Sequence, residues 1–248
     1  MNKTKQLNQR QIKMFAMGTM FLNHFAYALL DPTSFLFKIF IYVGYFTAIT
    51  MCYFLVEGYV YTHSKKKYGQ RLLVFAVISQ IPFNMVSTTK GIIHFTGFNM
   101  IFTLFICFLV LLAKDKIENP PLRQGVILLL VLFSAYSDWG ILAPIFTIMF
   151  ANHYGSEKGT NRAFNIAILL QGFSHYIDHY MFTNDLLGSF IPALWAVAGL
   201  VLSKYVIMRL YNGSRGETKG KIQQWFFYLF YPVHLFLIGG IRILLEVL

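Results

Sequence analysis

Long apolar blocks recur along the whole chain and are separated by short charged segments. Several blocks approach the roughly 20 residues that a helix needs to cross a bilayer, and they are apolar on every face. A membrane β-barrel would instead show segments of about ten residues that alternate between apolar and polar side chains. The pattern predicts an all-α, polytopic transmembrane helical bundle, with one membrane domain filling residues 1–248.

Nine segments fit this pattern. The approximate spans are 14–30, 36–58, 72–86, 98–113, 124–137, 139–151, 163–182, 187–208 and 223–246. The fifth and sixth are short, and they are either two spans or a broken, re-entrant pair hinged at residues 137–140. No small-residue cleavage site follows the first apolar run, so we expect this run to be retained rather than removed as a signal peptide.

The positions of Lys and Arg predict the orientation, because short cytoplasmic loops are enriched in these residues. With the N-terminus in the cytoplasm and the C-terminus outside, the cytoplasmic segments hold all but three of the 21 basic residues, the exceptions being Lys38, Lys90 and Arg242. The formal net charge of +11 then follows from the topology of a multi-pass protein in the bacterial cytoplasmic membrane. No nucleic-acid partner is needed to explain it.

Composition supports the membrane interpretation. Hydrophobic residues make up 56% of the chain and charged residues only 12%, against about a quarter charged in an ordinary soluble domain. Cys52 and Cys107 lie inside apolar runs and show neither metal-ligand spacing nor a disulfide pattern. We expect both to be packing residues.

The first predicted span contains an ionisable side chain, His24, where each such group costs on the order of 2 to 3 kcal/mol. Lys13 would lie at the cytoplasmic headgroups, and His24 would lie roughly 16 Å further along the helix, beyond the bilayer midpoint. A functional His24 competes with a histidine that only hydrogen-bonds a neighbouring helix. Likewise, Lys13 is either functional or a lysine that snorkels to the headgroups. Asn23 is either functional or a residue that only forms a hydrogen bond between helices.

A second polar group lies at the cytoplasmic end of the second span. Glu57 precedes a loop with aromatic and basic residues, namely Lys65, Lys66, Lys67, Tyr68 and Arg71. Glu57 is either a simple salt-bridge partner of these cations or the residue that orients an arginine in an anion site.

Further polar residues are candidates for a cavity lining. Asn99 opens the fourth span, and Asp138 lies near the outer surface, where a solvated turn also explains it. His234 follows Pro232, and it either occupies the polar position that the proline leaves in its helix or lines the same cavity. His175, Asp178 and His179 share a helical face, but a third firm ligand is missing, so no metal site is predicted.

Several motifs together resemble one known family. They are "FLVEGYVYTHSKKKYGQRLLVFAVISQIPF" (54–83), "NMIFTL" (99–104), "DWG" (138–140) and "FYPVHL" (230–235). The chain is similar in these motifs to the TraX family of membrane proteins, which is known for N-acetylation of a pilin amino terminus and looks related to the acyltransferase-3 group. That wider group carries an Arg or Lys followed, after ten intervening residues, by a His, and Lys13 and His24 have this spacing. Many TraX-like chains have Asp at the position of Asn23.

The resemblance implies an acetyltransferase that uses acetyl-CoA and no metal. Cations at the cytoplasmic rim, Lys13, Lys65, Lys66, Lys67 and Arg71, together with Tyr68, would bind the nucleotide end of acetyl-CoA. His24 would act as general base, while Asn23 or Asn99 would donate hydrogen bonds to the oxyanion. Glu57, Asp138 and His234 would line the rest of the pocket. A covalent acetyl-histidine intermediate is an open alternative.

The acceptor stays open between a pilin-like amino terminus, another exported peptide and a surface glycan hydroxyl. Two other classes of protein also fit the sequence. Intramembrane histidines and broken helices are typical of transporters and channels as well. A non-catalytic membrane assembly or immunity protein is consistent with Asn23 in place of the family's usual Asp.

Overall fold

The structure is a computed structural model that describes residues 6–216 and 221–247, without the side chains of residues 221–224. In these residues the secondary structure is helical, and no strand forms beyond isolated bridges. The helices are α1 (Gln9–Leu29), α2 (Phe35–Tyr61), α3 (Lys65–Ser87), α4 (Met100–Lys116), α5 (Pro120–Phe133), α6 (Leu142–His153), α7 (Glu157–Thr183), α8 (Phe190–Tyr205) and α9 (Lys221–Val247). A 3-10 turn (Ser134–Tyr136) follows α5, and a π-helix (Val206–Leu210) follows α8. Each predicted apolar segment overlaps one helix, so the all-α prediction is confirmed.

Three of the described helical segments are long and apolar enough to cross a membrane, namely Phe35–Tyr61, Phe190–Leu210 and Trp225–Val247. Helices α5 and α6 have 14 and 12 residues. They extend about 21 and 18 Å, which is short of a hydrocarbon core about 30 Å thick. Helices α1, α3 and α7 are long enough but less apolar, because they carry polar side chains. Length and composition therefore support three spans, not nine.

Side chains that cap helix N-termini explain several of the boundaries. Asn8 and Gln11 form a reciprocal capping box at the start of α1. Ser64, Asn99 and Asn119 accept hydrogen bonds from the first backbone N–H groups of α3, α4 and α5. Such caps satisfy donors that have no partner within the helix.

The described residues form two compact units, which we treat separately. The first comprises the residues up to Ala26, Leu30–Thr50 and His153–Gly216, and the second comprises Tyr27–Leu29, Met51–Asn152 and the residues from Lys221 onward. Helices α1 and α2 contribute residues to both units. The prediction of one membrane domain stays a prediction.

In the first unit, α1 and α2 are joined by polar side chains that donate to backbone carbonyls. The Thr47 hydroxyl donates to the Ala16 carbonyl at 2.7 Å and contacts the Thr19 hydroxyl at 2.8 Å. One helical turn or more further along α1, the Asn23 amide donates to the Ile41 carbonyl at 2.9 Å. The later residue of α1 contacts the earlier residue of α2, so the two helices run antiparallel.

Helix α8 packs on α2 in the same unit through small residues. A Cβ atom at Gly199 would lie 2.5 Å from the Phe46 nitrogen and from the Tyr42 oxygen, so only glycine permits this backbone approach. The hydroxyls of Thr50 and Ser203 are 2.7 Å apart. Residue numbers increase in both helices from the first contact to the second, and α2 and α8 are therefore parallel. Small and hydroxylated residues are typical of helix interfaces in membrane proteins.

In the second unit, α3 and α9 also run parallel. The rings of Phe75 and Tyr228 stack at 5.0 Å, and a Cβ at Gly239 would lie 2.5 Å from the Met85 Cβ. Near the end of α9, the guanidinium of Arg242 donates to the Met85 carbonyl of α3 and to the Gly91 and Ile92 carbonyls of the α3–α4 connection, and it pairs with Glu246 at 2.6 Å. Arg242 is one of the three cations predicted outside, and these bonds of its buried side chain explain its position.

Helices α5 and α6 form a short hairpin whose tip is irregular. Its residues Trp139 and Ile141 have left-handed φ angles of 56° and 63°, which are strained for bulky side chains. A Cβ at Gly140 would lie 2.1 Å from the Ser134 oxygen, so the turn requires glycine there. The Asp138 N–H donates to the Phe98 carbonyl at 2.8 Å. Two short helices joined by this irregular turn are what the structure shows, and the choice between a re-entrant pair and two full spans stays a prediction.

The close contact at Gly199 leads to a stability prediction. In Gly199→Ala the added methyl group must separate α8 from the α2 backbone, and we expect a loss of about 1 to 3 kcal/mol in unfolding free energy. Gly18→Ala in α1 is the matched control because its Cβ would meet nothing within 4 Å. Thermal unfolding of both variants in detergent tests this. A Gly199→Ala midpoint at or above that of Gly18→Ala contradicts it.

Arg242 leads to a second stability prediction. Arg242→Met removes the buried guanidinium that donates to three carbonyls and to the partly exposed Glu246, and we expect the loss of these charge-assisted hydrogen bonds to lower the unfolding free energy by about 1 to 3 kcal/mol. Lys90→Met removes an exposed cation of the same connection and should change little. Limited proteolysis within residues 88–98 and the unfolding midpoint measure the effect. Equal cleavage rates for the two variants would rule out this role of Arg242.

Candidate functional site

Lys13 and His24 lie on one face of α1. The helix is continuous from Gln9 to Leu29, and eleven residues complete about three turns, so the two side chains project in nearly the same direction about 16 Å apart. Lys13 is half-buried, whereas His24 is only 9% exposed. The helix thus holds a cation near its beginning and a buried imidazole three turns later.

Asn23 faces α2. Its amide donates to the Ile41 carbonyl, and a Cβ at Gly44 would lie 2.3 Å from the Asn23 Cβ. Successive residues of a helix point about 100° apart, so this contact also sets the rotation of α1 about its axis and therefore the direction of His24. The geometry favours the interhelical alternative for Asn23, and its donation to an oxyanion stays a prediction.

The predicted basic loop is the first turn of α3, and its cations lie in different environments. Lys65 forms an ion pair with Asp115 at 2.7 Å and lies over the Tyr59 ring at 4.3 Å. The hydrogen bond to Asp115 raises the pKa of Lys65, and the same bond holds the pKa of the Asp115 carboxyl below its usual value. Lys66 and Lys67 are exposed. Lys65 is therefore already neutralised by a carboxylate, whereas its two neighbours face solvent.

Arg71 lies between two tyrosine rings. The guanidinium carbon is 5.8 Å from the Tyr68 centroid and 5.9 Å from the Tyr228 centroid. Its Nε is buried and has no hydrogen-bond partner, and Arg71 forms no ion pair in the described part of the chain. Buried N–H groups in proteins nearly always have a partner. An arginine in this state is suited to bind an anion, as the sequence predicts for it.

Gly58, the residue after Glu57 in α2, lies close to Tyr68 of α3. Glu57 is buried, and a Cβ at the following Gly58 would lie 2.9 Å from the Tyr68 hydroxyl. The "EGY" motif therefore provides both a buried carboxylate and the space into which the tyrosine fits. A direct orienting bond from Glu57 to an arginine stays a prediction.

Asn99 is saturated with hydrogen bonds. Its side-chain oxygen accepts from the N–H groups of Ile101 and Phe102, and its Nδ2 donates to the Ala76 carbonyl at 2.7 Å and to Gln80 Oε1 at 2.9 Å. An amide has two N–H groups, and both are used here. The residue thus caps α4 and fixes it to α3, so an oxyanion would have to displace one of these bonds.

The predicted cavity residues Asn99, Asp138 and His234 come together around Tyr231. The Tyr231 hydroxyl accepts from the Met100 N–H at 3.2 Å, directly after Asn99. The Thr103 hydroxyl donates to the Asp138 carbonyl at 2.5 Å, and the His234 ring is 5.7 Å from that of Tyr231. Sequence reasoning did not single out Tyr231, although it lies within the "FYPVHL" motif.

His234 bonds within its own helix. Its Nδ1 lies 2.7 Å from the Phe230 carbonyl, and its ring stacks on the Phe230 ring at 4.6 Å. Pro232 leaves the carbonyl of Tyr228 without its helical donor. The bond of His234 is to the Phe230 carbonyl, so both explanations that the sequence analysis offered for His234 stay predictions.

This polar cluster lies well inside the second unit. Asn99 contacts Ala76 and Gln80, and Gln80 precedes the end of α3 by seven residues, or about 10 Å. The tip of the α5–α6 hairpin reaches the same level through Phe98. Asp138 itself is half-buried and its neighbour Tyr136 is exposed, so the choice between a solvated turn and a cavity lining stays a prediction.

His175, Asp178 and His179 do not converge on a metal-binding geometry. His179 Nδ1 instead lies 2.9 Å from the Ser189 hydroxyl, and the His175 ring is 5.5 Å from the Tyr45 ring. Over the ranges that the structure covers, no group of three His, Cys, Asp or Glu residues is placed to hold a metal ion.

Comparison with known proteins places these motifs in a family. The family model described as "TraX protein" matches residues 8–242. A protein of Dichelobacter nodosus named "Probable fimbrial assembly protein FimC, serogroup H1" is 30% identical over 254 residues, which covers 99% of this chain and 100% of that protein. No solved structure matches the chain.

The family match includes α1 with Lys13 and His24, the "EGY" and basic motifs, and the polar cluster around Tyr231. The similarity to the Dichelobacter nodosus protein extends over practically the whole of both chains. On both grounds, the chain belongs to the TraX protein family.

Proposed function

We propose that this protein is an integral-membrane acetyltransferase that moves an acetyl group from cytosolic acetyl-CoA to an exported or membrane-bound acceptor. The observation that carries the proposal is the pair on α1, a half-buried Lys13 and a buried His24 on one helix face. The family membership supports it, because the resemblance in these motifs implies acetyl transfer. The alternative functions are argued below.

The acceptor is a pilin-like amino terminus in this proposal. The related protein of Dichelobacter nodosus is named for fimbrial assembly, which favours a pilus subunit over a surface glycan hydroxyl. An α-amine with a pKa near 8 is partly neutral at pH 7, so it needs less activation than an alcohol. An amine and a hydroxyl acceptor have in common that the nucleophilic atom loses a proton when it is acylated.

The proposed topology places the N-terminus inside and the C-terminus outside, with the protein in the bacterial cytoplasmic membrane. Strict alternation requires odd-numbered helices to run one way and even-numbered helices the other. Within the first unit α1 and α2 are antiparallel and α2 and α8 are parallel, and within the second unit α3 and α9 are parallel, which agrees with this requirement inside each unit. A re-entrant α5–α6 hairpin keeps the alternation.

In the proposed reaction, the acceptor nitrogen attacks the thioester carbonyl of acetyl-CoA while His24 accepts the proton of the amine. The C–N bond forms, the C–S bond breaks, and the CoA thiolate leaves and takes up the proton. A neutral imidazole with a pKa near 6.5 is suited to this transfer. Asn23 contributes by holding α1 against α2, which positions His24.

The phosphates of acetyl-CoA are assigned to the cations that have no carboxylate partner. Arg71 fits best because its buried Nε has no partner and its guanidinium carbon lies 5.8 and 5.9 Å from two tyrosine rings. Lys65 fits less well, since Asp115 already neutralises it. Exposed Lys66 and Lys67 contribute a longer-range attraction that salt weakens.

Two other classes of function have observations in their favour. The broken backbone around Asn99 and Asp138 resembles the discontinuous helices of transporters, and solute flux into proteoliposomes without acetyl-CoA would favour that function. The name of the Dichelobacter nodosus relative suits a non-catalytic assembly protein equally. Failure of the purified protein to bind acetyl-CoA would favour assembly.

His24 gives the first test of the proposal. We expect His24→Ala to lower the rate of acetyl-CoA-dependent CoA release, with a pilin-like amino-terminal peptide as acceptor, by about 100-fold or more, because general bases contribute at least that factor. Acetyl-CoA binding should persist. The matched control is His63→Ala, which removes an exposed histidine. Full activity in His24→Ala would eliminate the base assignment.

Arg71 gives the second test. Arg71→Gln should raise KM for acetyl-CoA by about tenfold with little change in kcat, because one charge-assisted phosphate contact contributes about 1.5 kcal/mol or more. Arg71→Lys should recover part of the affinity, and Lys66→Gln, which removes an exposed cation, is the control. An unchanged KM in Arg71→Gln would remove the phosphate role.

A further inference from the structure

A cavity of about 750 Å³ lies in the first unit, between the beginning of α7 and the end of α8. This volume falls in the range of small-molecule sites. The two helices are antiparallel, since Tyr176 packs on Phe190 at 4.9 Å and a Cβ at Gly172 would lie 3.1 Å from Val197. The first turn of α7 and the last turn of α8 therefore meet at one end of the pair.

The π-helix (Val206–Leu210) forms one wall of this cavity. The Tyr211 N–H donates to the Val206 carbonyl at 2.9 Å, the i to i+5 spacing that defines the π turn. Such π segments are rare and frequently occur at functional sites. Here the segment carries Met208 and Arg209, which line the cavity.

The lining of the cavity is mainly cationic. Lys158, Lys204 and Arg209 line it, together with a single carboxylate, Glu157. Lys158 and Arg209 are exposed and form no ion pair within the described ranges, whereas the Lys204 ammonium donates to Asn165 at 2.6 Å. This excess of positive charge selects an anionic ligand.

Apart from Asn161, the remaining lining is Val201, Tyr205 and Met208. Val201 and Tyr205 are 48% and 56% exposed on the same face of α8. The segment Phe190–Leu210 is one of the helices long and apolar enough to cross a membrane, so the cavity lies at the end of a candidate span. Tyrosines at such ends are typical of the headgroup region.

We propose that this cavity binds the phosphodiester headgroup of an anionic phospholipid. The phosphate lies against Lys158 and Arg209, the glycerol and the first methylenes follow Val201 and Tyr205, and Glu157 and Asn161 accept and donate hydrogen bonds with headgroup hydroxyls. Basic pockets between membrane helices on the cytoplasmic side bind anionic headgroups in this way. A soluble phosphate ester would use the cations but leave the apolar wall exposed.

Native mass spectrometry of the full-length protein, titrated with phosphatidylglycerol or phosphatidylethanolamine in detergent, tests this site. We expect phosphatidylglycerol to be preferred, and Lys158→Gln/Arg209→Gln to weaken its binding by about tenfold or more, since each cation near an anionic lipid contributes on the order of 1 kcal/mol. The control Arg162→Gln/Arg215→Gln removes the same charge from exposed positions outside the cavity. It should stay within about twofold of wild type.

A charge-retaining variant and two competitors make the test decisive. Arg209→Lys should retain most of the lipid binding, and the melting curve of each variant shows that it is folded. Equal affinity for both lipids, or equal losses in the two double variants, would overturn the proposal. It would also be overturned if inorganic phosphate or CoA displaced the lipid at equal concentration, because the site would then recognise a soluble phosphate. None of these outcomes depends on acetyl transfer, so the site can fail without affecting the proposed function.

Discussion

The need to satisfy every buried polar group governs the way these helices pack. Apolar surroundings provide no water for an unpaired donor, so polar side chains inside the bundle must find partners on neighbouring helices. Three hydrogen bonds between segments follow this rule, because Asn23, Thr47 and Arg242 each donate to a backbone carbonyl of another segment. Glycines at positions 44, 199 and 239 allow the helices to approach closely enough for these bonds. Close helix packing and the pairing of buried polar groups thus require each other. The specific contacts within each unit depend on both.

The same constraint concentrates polar chemistry where helices are interrupted. The first N–H groups of α4 need acceptors, and Asn99 and Tyr231 provide them. The irregular tip of the α5–α6 hairpin is held in turn by Phe98 and Thr103. Asp138 reaches this cluster because the backbone is irregular at the tip of the hairpin, whereas His234 reaches it from the continuous helix α9. The cost of the interruption, including left-handed Trp139 and Ile141, is typical of functional sites.

The helical segments and the pair on α1 could be predicted because they depend on local sequence. Apolar blocks define helices directly, and the spacing of Lys13 and His24 defines their common face once α1 is continuous. Sequence reasoning could not predict the contacts of Asp138 with Phe98 and Thr103, the contact of Tyr231 with Met100, or the cavity beside α8. Each of these features arises from segments distant in the chain. The pairing of Lys65 with Asp115 was missed for the same reason, as fifty residues separate the two side chains. Asn99 was identified correctly as a polar position, but its saturation with hydrogen bonds is a tertiary property.

The basic residues show why charge patterns alone do not identify binding sites. Counting the basic residues of each loop treats all cations as equivalent. The structure shows that they differ in the groups that they contact. Lys65 and Arg242 are committed to carboxylates and carbonyls and stabilise connections. Arg71 lacks such partners and lies between aromatic rings, and Arg209 lines a cavity with Tyr205. A cation that is held in place by apolar and aromatic groups, without a neutralising carboxylate, keeps its charge available for an external anion. In this protein the absence of a partner is therefore more informative about function than the presence of charge.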